Sequence, residues 1–424
     1  MKRIIKNLLV TILGWQVKRL RSKRKFKIIA VVGSIGKTST KFAIAKLLST
    51  KYNVRFQKGN YNDILTVPLV FFGLNQPNIL NPFAWLIAVI KIEIALKNSY
   101  PYDYVIVELG TDGPDQINKF SNYIHCDIAV LTAITYEHME FFESIDDVAI
   151  EELSIAQFTD SLVINRDLCN NRYLNKGNNF IKFGKDNDVD YSIDDLKFDK
   201  NIVTFKLQKN NSNWIKGNLE ALSMSEVYSA TAASIIADVS GLTENEIESG
   251  IKNIKAVNGR MLQLNGIMNS IIIDETYNSS PEAVITALDS LYRIYAKHKI
   301  ALLGNMNELG KFSEDAHIQV GKYCDPNQLD LVVTIGKDAN KYTAKYAALN
   351  KCRTISFDNP ILAGKFIKNE LQEGSIVLAK GSQNGVYAEE AIKQILKDKN
   401  DINLLVRQSE SWMRLKSKLL NKSI

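Results

Sequence analysis

Residues 28–41 read IIAVVGSIGKTSTK. An apolar, β-branched run ends at Val32, a turn punctuated by Gly33 and Gly36 follows, and Lys37-Thr38 opens a stretch whose apolar residues (Phe42, Ile44, Ala45, Leu47, Leu48) have helical spacing. A strand that feeds such a turn exposes backbone N–H groups. The helix behind it presents the positive end of its dipole to an anion. Lys37 is then placed to reach terminal phosphates, and the Thr38 hydroxyl suits a magnesium ion. The turn is the shorter form G-x-x-G-K-T, with Val31 where the usual loop has its first glycine. A chance Gly-Lys-Thr in a loop is the bland alternative. The flanking strand and helix patterns favour a nucleotide-phosphate site made by Gly33, Ser34, Gly36, Lys37, Thr38 and Ser39.

Outward from this loop, strand-like and helix-like segments alternate. Tyr104–Leu109 and Asp127–Ile134 are β-branched runs that end in polar residues, which predicts a parallel sheet with ligands at the carboxyl ends of its strands. Residues 160–220 are more polar, with short alternating pieces such as Ile202–Leu207, and read as a small antiparallel insert or edge. Near Asn258-Gly259-Arg260 the pattern restarts: 270–274, 299–303, 331–335, 353–357 and 375–379 read as strands of a second α/β unit. It has no G-x-G-x-x-G fingerprint, which argues against a dinucleotide dehydrogenase. The expected fold is therefore α/β, a P-loop domain with a parallel sheet plus a C-terminal Rossmann-like domain.

The 424 residues are enough for two or three domains with a substantial core. Cys126, Cys169, Cys324 and Cys352 are far apart, with no C-x-x-C pair, which fits reduced, mostly structural thiols in the cytosol rather than a disulfide framework or zinc site. The net charge of +7 is local: ten of the 53 basic residues lie between Met1 and Lys27, where there is no acid. The remainder, 43 basic against 46 acidic, is not a nucleic-acid binder. Two readings of residues 1–27 stand side by side. One is an amphipathic helix (Ile5, Leu8, Leu9, Ile12, Leu20) in peripheral contact with the inner face of the cell membrane. The other is a helix packed on its own domain with a solvated basic end. A second apolar stretch, 83–96, is too short to span a bilayer, which needs about 20 residues, and reads as a buried or partner-facing helix, with a place beside the first segment at a membrane surface as the alternative.

Strand ends gather the chemistry. Glu108 closes a strand where a carboxylate faces the phosphate loop and can hold magnesium beside Thr38. His138 follows the next strand, and Glu151 and Glu152 the next helical stretch. Taken singly, each has a dull explanation as a solvated or locally bonded side chain. Together with the loop they make one magnesium cleft. In the second unit, Asp274 suits a ribose hydroxyl or an amine, Tyr277 and Asn278 suit a substrate pocket, and Lys380 is a candidate cation for a carboxylate or phosphate.

The order of segments resembles the Mur ligase family of ATP-dependent amide ligases, nearest to its D-alanyl-D-alanine-adding branch. The similar pieces run in register: VVGSIGKTSTK, GNYNDILTVPL, YVIVELGTDGPDQI, EHMEFFESIDDVA, NGRMLQL, IIDETYNSSPEAV, IALLGNMNELG and VLAKGSQ. The resemblance implies that ATP phosphorylates a substrate carboxylate and that an amine then displaces phosphate from the acyl phosphate to give an amide. It implies catalytic roles for Lys37, Glu108, His138 and Glu152, with Thr38, Glu108, His138 and Glu152 as Mg2+ ligands. Arg260 and Asp274 become nucleotide contacts, and Tyr277, Asn278 and Lys380 receive small-molecule substrates. The expected division is a basic helix (1–27), a central ATP-binding domain (28–257) and a C-terminal ligase domain (258–424), hinged at 257–259.

Three departures from the family pattern are visible. Glu152 stands where many members have a lysine, often carbamylated, so the carboxylate is supplied directly but on a shorter arm. The family's His-Asn pair is replaced in the region 224–230 (MSEVYSA). Only the short basic segment stands where peptidoglycan-building members carry a UDP-sugar domain. Ligation of a cell-wall precursor leads the readings. Poly-glutamate or folate-type extension, and a non-catalytic nucleotide-binding partner, are the alternatives.

Overall fold

The computed structural model describes residues 2–78, 81–174, 180–186 and 188–420. After helix α1 (Lys2–Lys23), strand β1 (Lys27–Val32) is buried at every residue but its first, as a β-branched run covered on both faces must be. It enters helix α2 (Lys37–Leu48) through the phosphate loop. β2 (Val54–Arg55), α3 (Val67–Phe72), α4 (Pro82–Ala95), β3 (Tyr104–Glu108), β4 (Ile128–Leu131), α5 (Ile145–Leu153), β5 (Leu162–Asn165) and β6 (Phe180–Gly184) follow. β7 (Tyr191–Asp199), β8 (Ile202–Lys209) and β9 (Ser212–Glu220) then lead into α6 (Met224–Val239) and α7 (Glu244–Ile251). The nine strands form one sheet in the order β2-β3-β1-β4-β5-β6-β7-β8-β9. Pairing is parallel as far as β7 and antiparallel from β7 to β9, so the expected polar insert continues the sheet's edge.

The second sheet takes β10 (Leu262–Asn265) and β11 (Ile271–Glu275), then, after helix α8 (Pro281–Arg293), β12 (Lys299–Gly304), β13 (Leu331–Ile335), β14 (Thr354–Phe357) and β15 (Ile376–Lys380). Its order is β10-β11-β15-β12-β13-β14, all parallel except the β10–β11 pair. The two sheets present their carboxyl ends, where parallel strands hand over to loops, to the same cleft.

α2 and α6 share a core on one face of the first sheet, and α1, α3 and α4 contribute to a core on the other. Of the two readings for 1–27, the described part shows packing: Leu13, Val17 and Leu20 are buried, and Gln16 donates to the Val89 carbonyl (3.2 Å) and to Glu93 (2.8 Å). α4, read as a buried or partner-facing helix, is buried on one face and open on the other. Trp85, Ala88 and Ile92 point inward, while Phe83, Leu86, Ile87, Ile90 and Ile94 face out.

The chain's last described helix, Glu410–Leu420, is fastened through a buried charge network. Glu389, fully buried, receives Arg407 Nη2 (2.7 Å) and Lys416 Nζ (2.7 Å). Arg407 Nη1 also donates to the Tyr277 carbonyl (3.0 Å), which ties this tail to the cleft.

Candidate active site

Gly33 and Gly36 hold φ values of +119° and +85°, a region that costs side-chain-bearing residues energy. At Gly33 a Cβ would also meet Thr132 Oγ1 at 2.4 Å and the Ala133 nitrogen at 2.8 Å, so only glycine lets the loop pass. The turn aims the α2 N-terminus into the cleft. Lys37 Nζ donates to the Gly33 carbonyl and to the Ser34 carbonyl (3.1 Å), and it lies 3.6 Å from Glu137 Oε2. Burial pulls the Lys37 pKa down, but Glu137, Glu152 and Glu108 together outweigh it and the net direction is up; the lysine stays charged.

Thr38 Oγ1 reaches both Glu108 oxygens, at 3.3 and 3.2 Å. Lys41, buried on the same helix, pairs with Glu108 at 2.9 Å. Burial raises the Glu108 pKa, and Lys41 and Lys37 reverse that, leaving it below the ordinary value and ionised. A hydroxyl and an ionised carboxylate side by side at a phosphate loop are hard oxygen ligands of the kind Mg2+ takes, with its remaining positions left to phosphate and water. Thr38 and Glu108 therefore fit the ion.

The other two expected ligands are held apart from that pair. Glu152 on α5 accepts from the Gly33 N–H (2.7 Å), and burial pushes its pKa up to about 7. His138, at φ +56°, turns to Glu308 (2.8 Å), whose residue is itself at φ +64° and comes from the second sheet's side of the cleft. Desolvation lowers the His138 pKa, but Glu308 and Glu137 raise it further, so the pair is ionic. Among the described residues no three His, Cys, Asp or Glu side chains stand close enough to hold a metal ion by themselves. The four-residue cluster is thus one assembled pair and two separate groups. Glu151 is consumed locally, accepting the N–H groups of Asp115, Gln116 and Ile117 at 2.6 to 2.8 Å.

Two cavities meet at Gly36 and Arg260, which line both. The first, about 230 Å³, carries Ser39, Thr40, Asn165, Glu226 and Glu275. In it, the segment that replaces the family's His-Asn pair places Glu226 as the capping residue of α6. It accepts from the Leu222 and Ser223 N–H groups (2.8 and 3.0 Å), and burial pushes its pKa up to about 8. The second cavity, about 390 Å³, is lined by Ser34, Lys37, Glu108, Glu137, His138, Tyr277, Asn278 and Glu308. Arg260 lies 4.3 Å over the Tyr277 ring, and its Nε is buried with no hydrogen-bond partner among the described residues. Asn278 Nδ2 donates to Glu137 Oε1 (3.2 Å), linking the two halves of the cleft.

Two expected site residues lie elsewhere. Asp274 is fully buried and accepts from the Thr276 N–H (3.1 Å) and hydroxyl (2.6 Å). Strand alternation puts its neighbour Glu275 on the cavity face instead. Lys380 is buried, donating to the Asn278 carbonyl (3.0 Å) and to Glu275 (3.3 Å), so it braces the loop that follows β11 and is not a free cation. Glu137, Glu308, Glu275 and Lys41 were not singled out from the sequence. Glu137 and Glu308 sit inside the quoted segments EHMEFFESIDDVA and GNMNELG, the only local signal they carried.

Burial pushes Asp274 from the ordinary 3.8 up to about 7. Between those values the unfolded chain releases a proton that the folded chain keeps, so folding loses stability as pH rises through that window. Asp274→Asn is expected to be more stable than the parent at neutral pH, by on the order of 2–4 kcal/mol, and equal to it near pH 4. Paired urea titrations across that range check it; a difference that stays constant with pH refutes the buried-carboxyl account.

Similarity to known proteins extends over both α/β units. A family profile described as Mur ligase middle domain matches residues 86–237, and one described as Mur ligase, glutamate ligase domain matches residues 259–383. The chain is 26% identical over 386 residues (88% of it, 77% of the relative) to the UDP-N-acetylmuramoyl-tripeptide--D-alanyl-D-alanine ligase of Haemophilus influenzae. It is 25% identical over 379 residues (87% and 76%) to the protein of the same name in Bacillus subtilis. Its fold matches the crystal structure of MurF from Acinetobacter baumannii, with a TM-score of 0.75 at 21% identity, covering 91% of this chain and 79% of that one. It also matches MurF ligase from Thermotoga maritima in complex with ADP, with a TM-score of 0.74 at 23% identity, covering 91% and 83%.

Proposed function

The chain belongs to the Mur ligase family of ATP-dependent ligases, and from that premise we propose that it joins D-alanyl-D-alanine to a UDP-N-acetylmuramoyl tripeptide in peptidoglycan synthesis. The observation that carries this reading is the polar cavity in which Lys37, the Thr38–Glu108 pair and the Arg260–Tyr277–Asn278 group face one another across the two sheets. The proposed domain division at 257–259 gives that cleft two independently movable walls, and closure on ATP completes it.

In this reading the physical problem is charge. A carboxylate must attack the terminal phosphorus of an anionic nucleotide, and each repels the other. Lys37, kept protonated by its carboxylate neighbours, lies against the terminal phosphate, and the backbone N–H groups of the loop take its oxygens. Arg260, whose Nε has no partner among the described residues, adds a second cation from the opposite wall. Mg2+ held by Thr38 and Glu108 supplies, when bound, positive charge that offsets the remaining repulsion. The carboxylate oxygen bonds to phosphorus as the bond to ADP breaks, giving an acyl phosphate. The amine of the incoming dipeptide, positioned by Tyr277 and Asn278, then adds to the acyl carbon and loses a proton. The C–O bond to phosphate breaks, leaving the amide and inorganic phosphate. Glu137, 3.6 Å from Lys37 Nζ and bonded to Asn278, joins the phosphate and amine ends of the site. The four cysteines, all buried and free, support a reducing, cytosolic setting.

The test is phosphate release by the full chain with Mg2+, ATP and paired substrates. Release is expected only when a UDP-N-acetylmuramoyl tripeptide and D-alanyl-D-alanine are both present. Turnover with glutamate and a folate in their place, or nucleotide binding without coupled release, would overturn the assignment.

A further inference from the structure

α1 and α4 pack side by side and run in the same direction: Gln16 reaches Val89 and Glu93, Arg19 reaches Glu93 at 2.7 Å, and Arg24 donates to the Asn98 carbonyl at 2.8 Å. Each helix keeps a stripe of large apolar side chains on the outside. On α4 these are Phe83 (76% exposed), Leu86, Ile87, Ile90 and Ile94; on α1 they are Ile5, Leu8 and Trp15. The stripes join, because the Arg19 guanidinium lies 4.3 Å over the Trp15 ring while it bonds Glu93 of the neighbouring helix. The result is a two-helix platform with an outer surface unlike that of an ordinary solvated helix pair.

The charges carried by the two segments themselves are nearly all of one sign, and Arg21 at the end of α1 is paired with Asp127 of the sheet behind it. Residues 1–27 carry ten Lys or Arg and no acid; residues 81–99 add Lys91 and Lys97. Their one acid, Glu93, is paired with Arg19 and accepts a hydrogen bond from Gln16. Lys18, Lys23, Lys25, Lys91 and Lys97 are all exposed. No described helix is long and apolar enough to cross a membrane, so a face of this kind lies on a bilayer and not through it. We propose that the joint outer face of α1 and α4 docks the protein on the headgroup layer of an anionic phospholipid bilayer. The apolar stripe enters the acyl boundary, Trp15 sits at headgroup depth, and the surrounding lysines pair with acidic lipids. A second copy of the chain fits this face poorly, since a two-fold contact would set its cations against their own images. The docking face is separate from the ligase cleft and does not depend on which amide is made there.

Flotation of the full chain with vesicles tests this. Recovery is expected with phosphatidylcholine–phosphatidylglycerol vesicles, not with phosphatidylcholine alone, and it should fall as salt rises. The double variant Ile87→Glu/Ile90→Glu should abolish recovery. Replacing Lys18, Lys23 and Lys25 by alanine should weaken it about fivefold per charge. Thermal unfolding and phosphate release in solution should stay at parental values, since these side chains are exposed and outside the cleft. Three results overturn the proposal: equal recovery with both vesicle types, vesicle binding that survives the Ile87/Ile90 variant, or self-association that the same variant removes.

Discussion

Replacing Lys37 by alanine is expected to lower substrate-dependent phosphate release on the order of 10³-fold, with little change in unfolding temperature. The lysine is half-buried at the mouth of the loop and kept charged against its own desolvation by Glu137, Glu152 and Glu108. Among the described residues its hydrogen bonds run to the Gly33 and Ser34 carbonyls of its own loop, so its removal costs the fold one longer contact, the 3.6 Å ion pair with Glu137. The loss should appear chiefly in kcat, because the charge it offsets grows as the carboxylate and the phosphorus approach. Lys37→Arg should recover little, since a planar guanidinium cannot occupy the space between two loop carbonyls and a terminal phosphate. Turnover within tenfold of the parent would remove the phosphate-loop assignment.

The largest effect on stability is expected at Glu389→Ala. Glu389 is fully buried between Arg407 and Lys416, and burial, which raises its pKa, is outweighed by those two cations, leaving it ionised. Truncation strands two cations in the interior, Lys416 with only the neighbouring Glu390 left to it, at a cost of about 3–5 kcal/mol. Removing Lys416 as well, with Lys416→Met, should restore part of the loss, because the penalty belongs to the uncompensated charge and not to the missing contact. The same change should raise KM for the amine substrate. Arg407 holds the Thr276 and Tyr277 carbonyls, and it loses its anchor when Glu389 goes. Denaturant titration reads the first effect and steady-state kinetics the second. A Glu389→Ala protein as stable as the parent would show that the tail does not brace the cleft. Glu389 has a depressed pKa, so its contribution is held above its usual value of 4.5 and lost as pH falls below it.

The phosphate loop was legible because everything it needs is local: a β-branched strand, glycines at two positive-φ positions, and a lysine one residue into a helix. Glu108 was legible for a similar reason, since a carboxylate that ends a buried strand has only one edge of the sheet to go to. The Asp274–Glu275 exchange shows how thin such a signal becomes. Two adjacent acids at the end of β11 differ only in which face they take, and the pairing register decides that. Glu137, Glu308 and Arg407 were silent because their partners are remote in the chain: Asn278 is 141 residues from Glu137, and Tyr277 is 130 from Arg407.

By itself the chain determined the two α/β units, their order, and the anion cradle between Val32 and Thr38, because hydrophobic period and turn chemistry act over a few residues at a time. Tertiary structure alone decided that Glu152 serves the Gly33 N–H, that His138 leans on Glu308 across the cleft, and that one flank of α4 stays uncovered. Each of these depends on where a distant segment lands. The free energy that places it is summed over whole packed faces, and no short window of residues contains it.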